Sequence, residues 1–295
     1  MKSARLKKPD IFNFKESLWF LDRGFDDCLH EVDKNSVTKA ISYNDQILLF
    51  NISEHDDQLI LKWINDSGSI DGLEIIKNFT SVWLDLERNL TEFYRLGKKD
   101  EVLSQLIQNY SGLRLITIPD LFEAICWCII GQQINLSFAH KMKTGLVEKY
   151  GGHIEYQGKN YYTFPKPLDL VDVKVNDLKS LQFSRQKADY VLNTAKIFVS
   201  DQKKFEEIGH LEHTSEMIKE LCKLRGVGEW TANYVCMKTF KRMDAITYGD
   251  AGLLNGLKNL QNLESKPDRQ TIDSFFRKFP GWESYVVFYI WRSLS

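Results

Sequence analysis

The 295-residue sequence lacks a strong excess of either charge and most of the motifs that mark common functional classes. Its formal net charge is −1 at pH 7, so it does not have the strongly basic composition of many nucleic-acid-binding domains. It contains no Walker loop and no GxGxxG motif, which excludes the usual nucleotide-binding signatures. Its six histidines show no zinc-ligand spacing such as HxxxH, so a histidine-bound zinc is not indicated.

Long apolar runs and a disulfide pattern are also missing. No run approaches the ~20 apolar residues that a membrane helix needs. The basic start, MKSARLKKPDIFNF, is not followed by an apolar stretch, so it does not resemble a secretory signal. The five cysteines are odd in number and most fall within apolar helical patterns, so a disulfide framework is not predicted. We therefore expect a cytoplasmic protein of bacterial type with no membrane partner.

The residues that are present fall into two unequal parts. Apolar residues make up 43% of the chain and aromatic residues 13%, which is enough for two cores. Residues 36–64 alternate apolar and polar residues between turn signals, which predicts a strand meander. Helical patterns flank it around Phe14–Phe20 and Asp85–Tyr94, and nearly every later segment reads as helix. We therefore predict an α+β fold, with a small N-terminal antiparallel sheet and helix domain (residues 1–100) followed by a larger all-helical domain (residues 101–295).

A glycine hairpin connects two of these helical patterns between about residues 215 and 238. The pattern before it ends in LCKLR, the turn is Gly226-Val227-Gly228, and the next pattern begins with EWTANY. Glycine permits a tight turn with exposed N–H groups, and the following helix supplies further N–H donors and a positive dipole end. This arrangement binds phosphate, and we expect a side chain at either glycine to strain the turn. Taken alone, the same residues also fit an ordinary helix–helix connection.

Four segments together resemble the helix-hairpin-helix family of DNA glycosylases, and within it DNA-3-methyladenine glycosylase II. They are SGLRLITIPDLFEAICWCIIGQQINLSFAHKMKTGLVEKYG, LKSLQFSRQKADYVLNTAKIF, GVGEWTANY and FPGWESYVVFYIWRSL, in the family's order. They lie within roughly residues 110–295. The resemblance implies a two-lobed helical domain with the catalytic cleft between its lobes.

The function that this resemblance implies is base excision on damaged double-stranded DNA. A monofunctional glycosylase would flip an alkylated purine, such as 3-methyladenine or 7-methylguanine, out of the duplex and hydrolyse its bond to deoxyribose. We expect it to act as a monomer and to leave an abasic site. Two alternatives stay open. One is a glycosylase for another lesion, such as hypoxanthine or an oxidised purine, and the other is a non-catalytic DNA-binding protein of the same fold.

Asp250, in the stretch ITYGDAGLL, is the candidate catalytic residue. By itself, an aspartate before Ala-Gly-Leu-Leu fits a helix N-cap. The two interpretations are compatible, because N–H groups and the helix dipole favour a carboxylate at a helix N-terminus. Breaking the bond between base and sugar builds positive charge on the sugar, which such a carboxylate stabilises. The resemblance places the family's catalytic aspartate here, although Tyr248-Gly249 stand where relatives often have proline or a second acid.

Trp230 stands where bifunctional relatives place a lysine, two residues beyond the second hairpin glycine. That lysine attacks the sugar and forms a Schiff base that leads to strand cleavage. Lys238, two turns further along the same helix, is too far away to replace it, so we predict hydrolysis by water and no lyase activity. No closely spaced four-cysteine cluster follows Asp250, so the iron–sulfur cluster of endonuclease-III-type relatives is not predicted. We predict no cofactor and no catalytic metal, and the resemblance allows a monovalent cation at the hairpin carbonyls.

Aromatic residues form the candidate base pocket. Trp230 and Tyr234 are four residues apart and so face the same way on one helix. The resemblance places Trp291 at the family's pocket-tryptophan position and Trp19 near an N-terminal aromatic that completes the pocket. Alkylated purines are electron-poor or cationic, and aromatic faces attract them by stacking and cation–π contact, worth ~0.5–2 kcal/mol each. Packing in the core is the alternative explanation for aromatics at this spacing.

The remaining candidates are expected to touch DNA away from the damaged base. The resemblance matches Gln133 to the family's wedge, which fills the gap left by the flipped base. A polar pair that caps a helix is the alternative for Gln132-Gln133. His140, Lys141 and Lys143 fit either a row along DNA phosphates or a solvated face. The residues assigned to phosphate binding at the hairpin are Gly226, Val227, Gly228 and Thr231.

Overall fold

The structure, a computed structural model, describes residues 2–25, 27–66 and 71–294. The described residues of its N-terminal part form the strands β1 (Lys2–Lys7), β2 (His30–Asp33), β3 (Ser36–Tyr43), β4 (Gln46–His55) and β5 (Gln58–Trp63). These strands make one antiparallel sheet in the order β1-β5-β4-β3-β2. The strand meander predicted for residues 36–64 is confirmed as β3, β4 and β5.

Two-residue turns set the register of this meander. The first turn pairs Tyr43 directly with Gln46. Each of the two turns has one residue, Asn44 or Asp56, at a positive φ of 52°. Asn and Asp tolerate this left-handed conformation, which tight hairpin turns require. The turn signals in the sequence therefore fix both where the strands end and which residues pair.

Helices complete the first 110 residues: α1 (Phe14–Leu21), α2 (Gly72–Trp83), α3 (Thr91–Gly97) and α4 (Glu101–Asn109). The domain division predicted at residues 100 and 101 falls at the N-cap of α4, where the Asp100 side chain accepts from the N–H of Leu103. The helical pattern expected over Asp85–Tyr94 is wrong in its first half. Asp85 has a positive φ of 46°, which interrupts a helix, and α3 begins only at Thr91.

The rest of the chain is helical apart from one short hairpin. The helices are α5 (Leu121–Gly131), α6 (Leu136–Tyr150), α7 (Pro167–Leu170), α8 (Val175–Lys179), α9 (Arg185–Ser200), α10 (Gln202–His210), α11 (Thr214–Leu221), α12 (Glu229–Lys238), α13 (Ala251–Leu260), α14 (Arg269–Phe276) and α15 (Glu283–Arg292). The hairpin pairs β6 (His153–Tyr156) with β7 (Lys159–Tyr162). The predicted α+β order is confirmed, with this hairpin as an addition to the helical part.

The sheet part and the helical part share one core. The hydroxyl of Tyr285, in α15, donates to the buried carboxylate of Asp85 at 2.8 Å. Arg114 is 1% exposed and donates to the carbonyls of Ile11, Asp85 and Arg88. Buried hydrogen bonds therefore join the two parts. Among the described residues, no helix combines the length and the apolar character that a membrane crossing requires.

Candidate active site

Asp250 is both the cap of a helix and the acceptor of two indole N–H groups. Its Oδ1 accepts from the backbone N–H of Leu253, in the first turn of α13, at 2.7 Å and from Nε1 of Trp291 at 2.8 Å. Its Oδ2 accepts from Nε1 of Trp230 at 3.2 Å. Because an ionised carboxylate has about four acceptor positions, one on Oδ2 remains available to a substrate. The cap and the candidate catalytic group are thus the same side chain.

The turn before Asp250 is set by a glycine and an anchored tyrosine. Gly249 has a φ of +80°, a left-handed conformation that glycine adopts without strain. The N–H of Asp250 donates to the carbonyl of Thr247 at 3.0 Å, which closes the turn. The hydroxyl of Tyr248 donates to Asp273 at 2.6 Å. The Tyr-Gly pair that departs from the family's pattern therefore forms a defined turn that presents the carboxylate.

Gly252 lets the first turn of α13 approach Trp291. A Cβ at this position would lie 2.9 Å from Cδ1 of Trp291 and 3.0 Å from Oδ1 of Asp250. Both distances are shorter than ordinary van der Waals contact, so any side chain here would push the indole away from the carboxylate. Sequence analysis missed Gly252. A glycine two positions after an aspartate indicates a close approach only when the structure shows Trp291 packed against it.

Three aromatic rings form a row beside the carboxylate. The centroid of the Tyr234 ring lies 5.6 Å from that of Trp230 and 6.1 Å from that of Trp291. Tyr234 is buried, and its burial raises the pKa of the hydroxyl, so the side chain is neutral at physiological pH. The structure therefore brings three of the four aromatic candidates together, with Tyr234 in the middle.

Trp19 is not part of this row. Its ring is covered by the guanidinium of Arg292 at 3.9 Å, and Arg292 is paired with Glu16 at 2.7 Å. Phe20, the next residue of α1, lies on another side of the helix, with its ring 4.8 Å from that of Phe288. Phe20 also lines the large cavity next to the aromatic row. Of these two aromatic residues of α1, Phe20 and not Trp19 therefore lies at the cavity.

A cavity of about 680 Å³ extends from this row towards the N-terminal sheet. Its walls include Tyr234 and Lys238 of α12, together with Phe20, Arg23 and Phe25 of the N-terminal part. The volume is in the range of small-molecule pockets. Neither the two tryptophans of the row nor the carboxylate lines it, so the cavity and the candidate catalytic group meet at Tyr234.

The glycine hairpin joins α11 to α12 as predicted, but its two glycines differ in their surroundings. Gly226 has a φ of +92°, and a Cβ there would lie 2.4 Å from the ring of Tyr190. Gly228 is the N-cap of α12 and has extended backbone, and no described atom lies within 4 Å of its Cβ position. The expectation that a side chain at either glycine strains the turn is therefore wrong for Gly228.

The other two hairpin candidates turn their side chains inward. Val227 is 6% exposed and Thr231 is 1% exposed. The hydroxyl of Thr231 lies 3.4 Å from Nε2 of Gln132, inside the protein. The first turn of α12 still offers backbone N–H groups that have no partner within the helix. If this hairpin binds phosphate as predicted, the contact would come from backbone N–H groups and not from these side chains.

The turn between α5 and α6 carries two glutamines with different environments. Gln133 is exposed and has a positive φ of 56°. Gln132 donates from Nε2 to the carbonyl of Gly226 at 2.9 Å, which ties this turn to the hairpin. The cap of α6 is Asn135, whose side chain accepts from the N–H of Phe138 at 2.8 Å. The capping alternative therefore fits Gln132, which is the C-cap residue of α5, whereas neither glutamine caps α6.

Comparison with known proteins identifies the family. Residues 126–280 match the HhH-GPD superfamily of base excision DNA repair proteins, and residues 20–125 match the N-terminal domain of 8-oxoguanine DNA glycosylase. The chain belongs to the HhH-GPD superfamily. A DNA-3-methyladenine glycosylase of Bacillus subtilis (strain 168) is 35% identical over 290 residues, which cover 97% of this chain and 95% of that relative. DNA-3-methyladenine glycosylase 2 of Escherichia coli (strain K12) is 24% identical over 61% of this chain and 60% of its own length.

Solved structures share the fold of this HhH-GPD protein. The 3-methyladenine DNA-glycosylase from Archaeoglobus fulgidus superposes with a TM-score of 0.85 at 20% identity, over 98% of this chain and 97% of that one. The 8-oxoguanine glycosylase/lyase of Clostridium acetobutylicum, in complex with double-stranded DNA, superposes with a TM-score of 0.78 at 19% identity, over 99% and 97%. The whole chain, including the N-terminal sheet, therefore follows the architecture of these proteins.

Two of the basic residues expected near DNA are buried in this HhH-GPD protein. His140 is 7% exposed and Lys143 is 5% exposed, whereas Lys141 lies at the surface. Lys143 donates to Asp27 at 2.6 Å. Burial and the charge of Lys143 lower the pKa of His140 to about 4. Because His140 and Lys143 are buried, they lie neither along DNA phosphates nor on a solvated face. Both interpretations are therefore wrong for these two residues.

Within the described ranges, no three His, Cys, Asp or Glu side chains lie close enough together to bind a metal ion. The carbonyl of Gly226 already accepts a hydrogen bond from Gln132. A monovalent cation at the hairpin would therefore share that oxygen or use other carbonyls of the turn.

Sequence analysis also missed the burial of Lys238. Trp230, Tyr234 and Lys238 follow one another at intervals of four residues, which is the signal that could have placed all three on one face of the helix. A lysine in such a row is ordinarily expected at the solvent surface. The structure instead buries it at the cavity wall.

Proposed function

We propose that this protein is a monofunctional DNA glycosylase that releases alkylated purines, such as 3-methyladenine and 7-methylguanine, from double-stranded DNA. The observation that carries the proposal is the Asp250 carboxylate, held beside an aromatic row by two indole N–H groups and a helix N-terminus. The 35% identical relative of Bacillus subtilis is a DNA-3-methyladenine glycosylase, which supports the same substrate class.

The chemistry required of Asp250 is stabilisation of positive charge on deoxyribose. As the bond between C1′ and the base nitrogen breaks, its electron pair leaves with the base and the sugar becomes cationic. A fixed carboxylate beside C1′ lowers the energy of that charge. Water then adds to C1′ and loses a proton, with Asp250 orienting it, and an abasic site remains. A cationic alkylated purine departs as a neutral base, so the reaction needs little acid catalysis.

The same geometry supports hydrolysis without strand cleavage. Trp230 stands two residues beyond Gly228, and its ring nitrogen donates to Asp250. The lysine of this helix, Lys238, lies eight residues further on, about 12 Å along the axis. Its amine is held between aromatic rings and not beside the carboxylate. Water is therefore the nucleophile in the mechanism that we propose.

We further propose that one protein chain engages the duplex. Backbone N–H groups in the first turn of α12 would bind a phosphate, as helix N-termini do. Gln133, exposed on the turn between α5 and α6, would fill the gap in the duplex and hydrogen-bond the orphaned base. The Clostridium acetobutylicum structure of the same fold holds double-stranded DNA, which supports this assignment. Asp250, Gln133 and the hairpin belong to one chain, so we propose a monomer, with domains at residues 1–100 and 101–295.

A glycosylase for hypoxanthine or an oxidised purine is the second candidate. Its support is the match of residues 20–125 to the N-terminal domain of 8-oxoguanine DNA glycosylase. This part of the chain contributes Phe20, Arg23 and Phe25 to the cavity, so it bears directly on which base fits. This candidate would also act by hydrolysis, because Trp230 stands in place of the lysine that forms a Schiff base.

Base release from defined duplexes tests both candidates. The protein is incubated with methylated duplex DNA and with duplexes that carry hypoxanthine or 8-oxoguanine, and the free bases are separated by chromatography. We expect release of 3-methyladenine and 7-methylguanine, with no covalent adduct after borohydride reduction. Preferential release of 8-oxoguanine would favour the second candidate, a trapped adduct would overturn the hydrolytic mechanism, and no release from any duplex would overturn both candidates.

A further inference from the structure

Arg269, the first residue of α14, is an exposed arginine whose guanidinium is nevertheless held by two neighbours. Its Nη1 and Nη2 donate to the two carboxylate oxygens of Glu229 at 3.1 Å and 2.8 Å. Its Cζ lies 4.1 Å from the centroid of the Tyr248 ring, which is within cation–π range. The side chain of Arg269 is still 60% exposed. A side chain that is exposed and already held in one orientation loses little freedom when it binds a ligand.

Both neighbours of Arg269 lie next to the candidate catalytic group. Glu229 is the first residue of α12, and Trp230, which follows it, donates to Asp250. Tyr248 precedes Asp250 by two residues, in the turn that presents the carboxylate. The guanidinium therefore lies between the hairpin helix and that turn. A nucleotide whose C1′ lies at Asp250 carries its phosphates on the same sugar, so Arg269 is placed to meet one of them.

The carboxylate of Glu229 would oppose phosphate binding if it stood alone. It lies in the first turn of α12, where the helix dipole stabilises it and where an incoming phosphate would also bind. Asp273, one turn beyond Arg269 in α14, adds a second carboxylate and accepts from the hydroxyl of Tyr248 at 2.6 Å. Arg269 neutralises Glu229 through the two bonds between them. The pair therefore removes a repulsion at the place where DNA is expected.

The guanidinium also keeps donors for a phosphate. Arginine has five N–H groups, and the two bonds to Glu229 leave three of them free of that carboxylate. Its planar fork binds carboxylates and phosphates with the same two-bond geometry. A phosphate can therefore bind at one edge of the guanidinium while Glu229 stays bound at the other.

We propose that Arg269 binds a backbone phosphate of the damaged nucleotide and that Glu229 and Tyr248 orient it for this contact. The inference rests on the proposed function. It adds a charged side chain to the backbone N–H groups of the hairpin as a contact to the same DNA strand. Arg269 positions the sugar in this scheme, while Asp250 stabilises its charge.

Binding to a duplex with a reduced abasic analogue, measured over a range of salt concentrations, tests this contact. The matched control for Arg269→Gln is Arg95→Gln in α3, because Arg95 makes the same kind of two-bond pair with Glu92 and is 55% exposed. We expect Arg269→Gln to weaken binding about tenfold, since a charge-assisted hydrogen bond is lost. The slope of log affinity against log salt should fall by about 1. No change for Arg269→Gln, or an equal change for Arg95→Gln, overturns the inference.

A second experiment separates a phosphate contact from neutralisation of Glu229. Arg269→Gln is combined with Glu229→Gln, and single phosphates beside the analogue are replaced by neutral methylphosphonates. We expect the double variant to bind more weakly than Glu229→Gln alone. One methylphosphonate should weaken binding by wild type and leave binding by Arg269→Gln unchanged, as for two groups that contact each other. Equal binding by the double variant and Glu229→Gln, or equal losses for both proteins at every methylphosphonate, overturns the inference.

Base release from methylated duplex DNA distinguishes failure of this inference from failure of the proposed function. If wild type releases alkylated bases and Arg269→Gln binds the analogue duplex normally, only the phosphate contact is rejected. If wild type releases no base, the proposed function is rejected. The salt slope and the methylphosphonate pattern then still decide whether Arg269 binds a phosphate, because neither measurement depends on catalysis.

Discussion

At the scale of single residues, the site depends on how one carboxylate is oriented. Three hydrogen bonds hold Asp250, and two of them come from tryptophans that the sequence assigns to the base pocket. Trp230 therefore matters in two ways: the resemblance places it where bifunctional relatives have a lysine, and its N–H donates to the carboxylate. An aspartate that is a helix cap is for the same reason a fixed electrostatic group, because the bonds that cap the helix also prevent rotation of the side chain.

The indole N–H groups provide the first prediction. Trp291→Phe and Trp230→Phe each keep an aromatic ring and remove one donor to Asp250. We expect Trp291→Phe to slow single-turnover base release about tenfold, because a charge-assisted hydrogen bond is lost and the carboxylate can rotate. Trp230→Phe should cost less, since its bond is 3.2 Å long and that of Trp291 is 2.8 Å. Wild-type rates for both variants would show that the indoles only pack beside Asp250.

Single residues were predicted where chemistry and spacing agree. The resemblance singled out Asp250, which the residues alone would make a helix cap, and the four-residue spacing placed Trp230 and Tyr234 on one face, where the structure also has them side by side. Trp19 and Phe20 could not be distinguished, because adjacent helical residues point about 100° apart and the sequence does not give the rotation of α1. Lys238 could not be placed either, since its burial follows from the packing of α1 and α15 around it.

At the scale of elements, two turns behave as one unit. The turn between α5 and α6 carries the exposed Gln133, and the hairpin between α11 and α12 carries the glycines. Gln132 links them by its bond to the carbonyl of Gly226. The amine of Lys187, in α9, also donates to the carbonyl of Ile130 near the end of α5, at 2.6 Å. The proposed wedge and the proposed phosphate contact are therefore held at a fixed separation.

The hairpin glycines provide the second prediction. Gly226→Ala should lower the free energy of unfolding by about 1–2 kcal/mol for the left-handed backbone alone. The close approach to Tyr190 adds about 1–3 kcal/mol. Gly228→Ala, the matched control, should cost at most about 1 kcal/mol, the preference for glycine over alanine at a helix N-cap, because its backbone is extended and its Cβ position is open. Urea unfolding measures the free energy of unfolding of wild type and both variants. Equal stability of the two variants would contradict this account.

Helices and strands were predicted correctly where their hydrophobic pattern repeats several times. The meander and the long helices have clear periods of two and 3.6 residues, so their positions follow from the sequence. β1 and the β6–β7 hairpin were missed, since they are short and β1 pairs with residues far away in the chain. Such pairing is decided by tertiary contacts and leaves little trace in local composition.

At the scale of the whole molecule, the site requires both parts of the chain. The cavity has walls from the N-terminal part and from α12, and the two parts share a core. One buried ion pair connects the segment after α1 to α6: Lys143 donates to Asp27 at 2.6 Å. Burial alone would raise the pKa of Asp27, but the charges of Lys143 and His30, together with hydrogen bonds from Lys143 and the N–H of Leu29, outweigh burial and lower that pKa. The pair therefore favours the charged carboxylate in the folded protein.

Removing one member of this pair provides the third prediction. Asp27→Asn should lower the free energy of unfolding by about 3–5 kcal/mol, because it leaves the charge of Lys143 buried and unpaired. The double variant Asp27→Asn with Lys143→Met should recover much of the loss, since neither charge then remains. Urea unfolding at pH 7 measures both variants. A double variant that is less stable than Asp27→Asn would contradict the assignment of the loss to an unpaired charge.

The pH dependence of the same pair is the fourth prediction. The pKa of Asp27 is lowered in the folded state, so its contribution is complete above the unfolded value near 3.8 and is lost as the pH falls below it. We expect the difference in stability between wild type and Asp27→Asn to be constant from pH 7 to about pH 5 and to shrink below about pH 4. A difference that shrinks on raising the pH from 5 to 7 would have the wrong sign for this mechanism.

The measurement that tests the central claim most directly is base release by Asp250→Asn. Asparagine still caps a helix, so the fold and the hairpin should be kept while the negative charge is removed. Asp268→Asn, at the N-cap of α14, is the matched control. On methylated duplex DNA, we expect Asp250→Asn to release 3-methyladenine about 10²–10³ times more slowly than wild type. Binding to a duplex with a reduced abasic analogue should be nearly unchanged, and the control should be fully active. Release by Asp250→Asn at a rate close to wild type would contradict the account.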